Sequence, residues 1–286
     1  MGNTIKHLSA RNCVVQILKF ALLIGWALTC IIPLLWVFMN SFKSSGEILR
    51  SSMSVPSSLE FVNYKTLIGY PDVNLIKAFF NSIIISGSTV VLVIAIASMA
   101  SFALGRFKLM IASVILSLLT ACLLVPAFAT VIPNFVTMSK IPFVKGSYLA
   151  AIIPQTAGNL CFSIIMMTGF MKSLPEELDE AALIDGAGVW TIFSKISVPL
   201  CRSMISTIAI MVFIWSYNDL FTSLVYISRQ SMKPVCVILS MVSNMFGTDY
   251  GAMMAAITIT IIPPLVLYAI AQEQVVSGLT AGAVKG

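Results

Sequence analysis

The chain has 286 residues, of which 58% are apolar by type and only 10% charged, with a formal net charge of +6 and a mean hydropathy of +0.99. A soluble domain carries roughly 25% charged residues to cover its surface, so the composition excludes a water-soluble fold. It also excludes a disordered chain and a nucleic-acid-binding face, for which the basic excess is too dilute. A membrane helix takes about 20 residues, so about six of them leave room for loops and a small water-exposed feature.

In chain order, Lys6, His7 and Arg11 precede a first apolar run over 14–39. Its core is longer than the usual 7 to 15 residues of a signal peptide and no small-residue cleavage site follows, so a retained membrane helix is expected. The next stretch, 41–77, is Ser-rich with Pro56 and Pro71 and reads as external, with one short helix. Further spans are expected near 83–104, 110–132, 148–171, 204–225 and 252–271, with a kink at Pro263 and Pro264 in the last. The fold class is therefore all-α, a single polytopic membrane domain over 1–286 with six transmembrane helices. An even number of spans puts both termini on one side. Basic residues divide almost evenly between the two sides, but those before the first span and in the tight turn at Arg106 and Lys108 place the termini in the cytoplasm.

The segment 173–199 differs from every other loop. Glu176, Glu177, Asp179, Glu180 and Asp185 are five of the chain's eleven acidic residues. Ser173-Leu174-Pro175-Glu176 has the form of a capping box, and the carboxylates that follow suit the positive end of a helix dipole. Leu178, Ala181, Ala182 and Asp185 share one face at helical spacing, two of them small, and Gly186 and Gly188 are expected to end the helix in left-handed backbone. A second short helix over about 189–196 is expected to stop near Pro199. Helices that lie on headgroups are usually rich in Lys and Arg; this one is acidic, which favours docking into a protein partner.

The string EAALIDGAGVWTIFSKISVP, Glu180 to Pro199, resembles the EAA loop of ABC importer permeases. Glu180, Ala181, Ala182, Gly186, Ile196 and Pro199 fit its spacing, with Val198 where Leu is commoner. PLLWVFMNSFKSSGEI, NYKTLI, FFNSIII, ASFALGRF, WSYNDL and the ending GLTAGAVKG are similar to the maltose-type, carbohydrate-uptake branch, in which such a chain is the second of two different permease subunits. The resemblance implies a second non-identical permease, two ABC ATPase subunits, and an extracellular or periplasmic sugar-binding protein. It implies that Glu180, Ala181, Ala182, Asp185, Gly186, Ile196 and Pro199 form a cytoplasmic helical coupling loop seated in the ATPase. It also implies that the Gly-rich tail 278–286, with Gly282, Ala283, Val284, Lys285 and Gly286, reaches the same subunit; such a polar tail is not expected to fold by itself. The expected solute is an oligosaccharide, with glycerol phosphate or another small solute as the alternative.

The chain itself is not expected to be an enzyme. No Gly-Lys pair is present to build a phosphate-cradling loop. One His and six Cys without CxxC spacing offer no zinc site, so neither cofactor nor metal is expected and the cysteines read as free thiols. Two polar groups interrupt the apolar spans. Trp215, Asn218, Asp219 and Thr222 recur at i, i+3, i+4 and i+7 and read as one polar face of the fifth span, either on a translocation path or at a helix end or subunit contact. Gln155 and Asn159 share a face of the fourth span, beside Pro154 and Gly158, and serve either the path or interhelical hydrogen bonding. An ion-coupled secondary transporter would be expected to bury more ionisable groups than Asp219 alone.

Overall fold

A computed structural model of the protein describes residues 10–59, 61–69, 74–245 and 249–283. Its helices, in order, are α1 (Ala10–Asn40), α2 (Ser45–Arg50), α3 (Val62–Gly69), α4 (Leu75–Arg106), α5 (Ala112–Cys122), α6 (Ala127–Ser139) and α7 (Leu149–Met171). Then come α8 (Glu177–Ile184), α9 (Val189–Ile192), a π turn over Phe193–Ser197, α10 (Val198–Leu200), α11 (Arg202–Tyr217), α12 (Leu220–Tyr226), α13 (Val235–Met245) and α14 (Tyr250–Ala283). Four helical stretches, Val14–Asn40, Leu75–Arg106, Leu149–Met171 and Tyr250–Ile270, are long and apolar enough to cross a membrane. Two bent pairs, α5 with α6 and Val189–Leu200 with α11, raise the count to six if each pair is one crossing.

The bend between α5 and α6 corrects the expectation of one continuous third span over 110–132, and the fifth, expected over 204–225, is interrupted at 218–219. α5 and α6 meet at 99°, because Pro126, at φ −60° and ψ 126°, breaks the ladder and holds the chain extended ahead of α6. The fifth span stops at Tyr217, where the Asn218 side-chain amide donates to the Ile214 carbonyl at 2.8 Å and Asp219 caps α12 by accepting from the Thr222 amide at 3.1 Å. Short polar side chains that bond their own backbone compete with helix continuation. The sixth span passes through Pro263 and Pro264. Pro264 has no N–H to give the Thr260 carbonyl, which instead accepts from the Tyr217 hydroxyl at 3.4 Å.

The chain divides into two compact units. The first takes the chain up to Gly69 with the stretch ending at Ile259, and in it 41–59 and 61–69 carry two short helices where one was expected. Lys43, fully buried, donates to the carbonyls of Ser51 and Ser52 at 3.1 and 3.3 Å and to Ser54 Oγ at 3.3 Å. Asn63 donates to the Ser41 and Lys43 carbonyls at 2.7 and 2.9 Å. Gly251 closes on this network so tightly that a Cβ there would lie 2.7 Å from both Asn63 Oδ1 and the Lys43 carbonyl.

The second unit is built on α4, which packs along α7 and against α11. The inward face of α4 mixes large apolar residues with many small or polar ones, Ala78, Ser82, Ser86, Thr89, Ala97 and Ser101 among them, and such small residues let membrane helices approach closely. Gly105 continues this seam: a Cβ there would lie 3.2 Å from Met171 Cβ. The core between these helices holds Val93, Phe102, Met167, Met171, Met204, Ile208 and Val212.

Candidate functional site

Two features of the second unit carry the chemistry. The first is the acidic segment after α7. The capping box does not form: Ser173 Oγ donates back to the Phe170 carbonyl at 2.7 Å, and α8 starts after Glu176 without a side-chain cap. Arg106 holds this segment in another way, by bonding its carbonyls and a carboxylate rather than its amides. It stands at the end of α4, its side chain only 5% exposed, and its Nε lies 3.0 Å from Asp179 Oδ2. Its two terminal nitrogens donate to the carbonyls of Leu174 and Pro175 at 3.0 and 3.4 Å. One guanidinium thus ties the second span to the first turn of α8. Sequence reasoning used Arg106 only as a topology marker; its position after a close-approach Gly and opposite an acidic loop was the available signal.

The C-terminus of α8 is a Schellman motif. Gly186 sits at φ +80°, the Ala187 amide donates to the Ala182 carbonyl at 2.9 Å, and the Gly186 amide to Leu183 at 3.0 Å. Gly188 has φ −73° and starts α9, which corrects its expected left-handed role. The expected common face also divides. Ala182 is buried against Met171, Ile192, Phe193 and Met204, whereas Glu180, Ala181, Leu178 and Asp185 are exposed. Ile196 packs on the same core. Pro199 lies exposed inside α10, and the stop comes at Cys201, where the chain turns into α11 at 73°. Pro199 follows the π turn without a break and has no N–H to donate to the preceding turn, and the helical run ends within two residues of it.

Large apolar side chains face outward beside the carboxylates of Glu180 and Asp185. Ile184 is 87% exposed and Trp190 68%, with Leu183 and Val189 beside them in sequence and also exposed. Exposed large hydrophobic side chains grouped on one short loop, rimmed by Glu180 and Asp185, mark an interaction surface.

The second feature is a cavity of about 490 Å³ lined by α6, α7, the end of α11 and α12. Gln155, Asn159, Trp215, Asn218 and Asp219 all line it, although the four positions from Trp215 to Thr222 do not share one helix. The bend at Asn218 and Asp219 brings them there instead. Asn159 Nδ2 donates to the Gln155 carbonyl at 2.7 Å within α7, which stays unbroken despite Pro154. Gln155 Oε1 accepts from Ser216 Oγ at 2.5 Å and from Thr89 Oγ1 at 3.5 Å. Thr130, Asn134 and the rings of Phe128, Phe221 and Tyr226 complete the lining; the sequence reading missed those on α6 because it placed α5 and α6 in one straight span.

The family profile described as binding-protein-dependent transport system inner membrane component matches residues 99–280, which take in Arg106, the acidic loop and the cavity. The chain belongs to this family. As a transport-system inner membrane component it is a multi-pass membrane protein. It is 32% identical to the diacetylchitobiose uptake system permease protein of Streptomyces coelicolor over 93% of this chain and 87% of the relative. It is 30% identical to the trehalose/maltose transport system permease protein of Thermococcus litoralis over 94% of this chain and 97% of that one. Among solved structures, a bacterial ABC transporter involved in import of the acidic polysaccharide alginate shares the fold, with a TM-score of 0.78, 20% identity and coverage of 93% of this chain and 98% of that one.

The last of the expected site residues fall at the C-terminus. Gly282 and Ala283 belong to α14, and Val284, Lys285 and Gly286 lie outside the described residues. The tail expected not to fold is helical as far as Ala283, since extending a helix that already exists adds a hydrogen bond per residue without a new nucleation cost.

Proposed function

We propose that the chain is the second of two non-identical permease subunits in an ATP-driven, binding-protein-dependent oligosaccharide importer of the cytoplasmic membrane. Both termini and the segment 173–199 face the cytoplasm, where two ABC ATPase subunits hydrolyse ATP, and a sugar-binding protein delivers solute from outside. The permease is not the catalyst. Kinship to permeases named for diacetylchitobiose and for trehalose/maltose uptake supports the saccharide class.

The observation that carries the reading is the two-sided build of α8 and α9. One side, through Ala182, Ile192 and Phe193, is part of the span core; the other offers Ile184 and Trp190 to a partner. A movement of the ATPase is thereby passed to α4, α7 and α11 without an intervening flexible segment, and residues 282–286 add a second contact to the same partner.

Gly186 tests the coupling. Nothing lies within 4 Å of a Cβ at this position, so Gly186→Val acts only by forcing a branched residue into left-handed backbone, at a cost of about 1–2 kcal/mol. The expected result is an assembled complex that still hydrolyses ATP while uptake falls about tenfold. Uptake at the parent rate would overturn the assignment.

A further inference from the structure

The cavity has the size of a small-molecule site, about 490 Å³ against the usual range of roughly 300–1,000 Å³, and its lining has a one-sided charge. Among the side chains around it are Gln155, Asn134, Asn159, Asn218, Thr130 and the carboxylate of Asp219, with no Lys, Arg or His. Among the described residues, Asp219 Oδ1 accepts from a backbone amide, that of Thr222, and no cation pairs with the carboxylate. The ion pair found among the described residues, Arg106 with Asp179, lies at the other site. A carboxylate that no cation balances, in surroundings less polarisable than water, repels an anion and attracts a cation.

The neutral groups suit hydroxyl-bearing rings. Gln155 is 5% exposed, its oxygen is engaged by Ser216, and its Nε2 is buried without a hydrogen-bond partner among the described residues. Buried polar atoms are normally paired, so this donor, covered in the free chain, lacks an acceptor that a ligand oxygen would supply once its neighbours shift. Phe128 and Phe221, edge to face at 4.9 Å between centroids, and Trp215 add aromatic surface, which takes the apolar face of a pyranose while the amides take its hydroxyls.

We infer that this cavity is a charge-selective stretch of the solute path that admits uncharged or amino-substituted saccharides and rejects uronates and sugar phosphates. The inference rests on the reading of the chain as half of a saccharide permease and names the class of solute it passes.

The test measures the field of the cavity with reagents whose charge is known. In the complete transporter in membrane vesicles, Asn134→Cys is reacted with the trimethylammonium-ethyl and the sulfonato-ethyl methanethiosulfonates, with the unsubstituted chain as blank. Rates are divided by those of a free thiol. The cationic reagent is expected to react at least tenfold faster than the anionic one, and the ratio to fall to near unity when Asp219→Asn is added. Thr130→Cys, on the same lining, serves where the first variant does not assemble. A ratio near unity with Asp219 in place, or one that Asp219→Asn leaves unchanged, overturns the charge selectivity. Trapping with ATP and vanadate separates the underlying reading: both rates should change several-fold if the cavity belongs to an alternating path. Rates that ignore the trap reject the path even where the charge ratio holds.

Discussion

Arg106→Ala is expected to abolish ATP-driven uptake in a complex that still assembles and still hydrolyses ATP. The guanidinium reaches three acceptors at once: the Asp179 carboxylate and the carbonyls of Leu174 and Pro175. Alanine removes all three and leaves Asp179, 18% exposed, with no cation. Breaking one side of a buried ion pair costs roughly 3–5 kcal/mol, and the partial exposure of Asp179 puts the figure at the lower end. About 3 kcal/mol is enough to detach the first turn of α8 from the end of α4. α8 would then follow the ATPase without moving the second span. Arg106→Lys supplies the charge but not the planar fork, so an intermediate ratio of solute transported to ATP hydrolysed is expected. A parent-like ratio in Arg106→Ala would show that force does not pass through this contact.

The second large effect is expected at the outer side of the same loop. Ile184→Asp or Trp190→Glu places a charge where an apolar side chain is offered to a partner. Residues at the centre of an interface, Trp above all, contribute about 2–4 kcal/mol each. The ATPase subunits should therefore be lost from the purified complex or bind about 30-fold or more weakly. Because both side chains are largely exposed in the single chain, the substitutions should leave the fold of the permease intact, and the yield of folded permease in detergent checks this. Full retention of the ATPase in both variants would move its docking site away from α8 and α9.

The fold class and the acidic loop were legible in the sequence because they rest on local signals: long apolar runs, a helix between clustered carboxylates and Gly186, and an extended string similar to the EAA loop. The errors lie where a single residue reverses a long pattern. Pro126 splits an apolar run that periodicity reads as one helix, and Asn218 with Asp219 ends the fifth span although the polar positions keep helical spacing. Ser173 and Glu176 match a capping pattern, yet Ser173 Oγ turns back to the Phe170 carbonyl, and a cation 67 residues before Ser173 holds the loop by the carbonyls of Leu174 and Pro175. That contact depends on how α4 and α7 pack, which no local rule contains. Gln155 and Asp219 were identified as polar interruptions, but their place in one cavity follows from the bend at 218–219 and from α6.

The most direct test of the importer reading is uptake of a labelled neutral oligosaccharide into vesicles holding both permeases, the ATPase subunits and the external binding protein. Accumulation is predicted to require internal ATP and the binding protein, and to persist when an ionophore collapses the ion gradients. Uptake that proceeds without ATP and stops with the ionophore would contradict the account and make the chain an ion-coupled carrier.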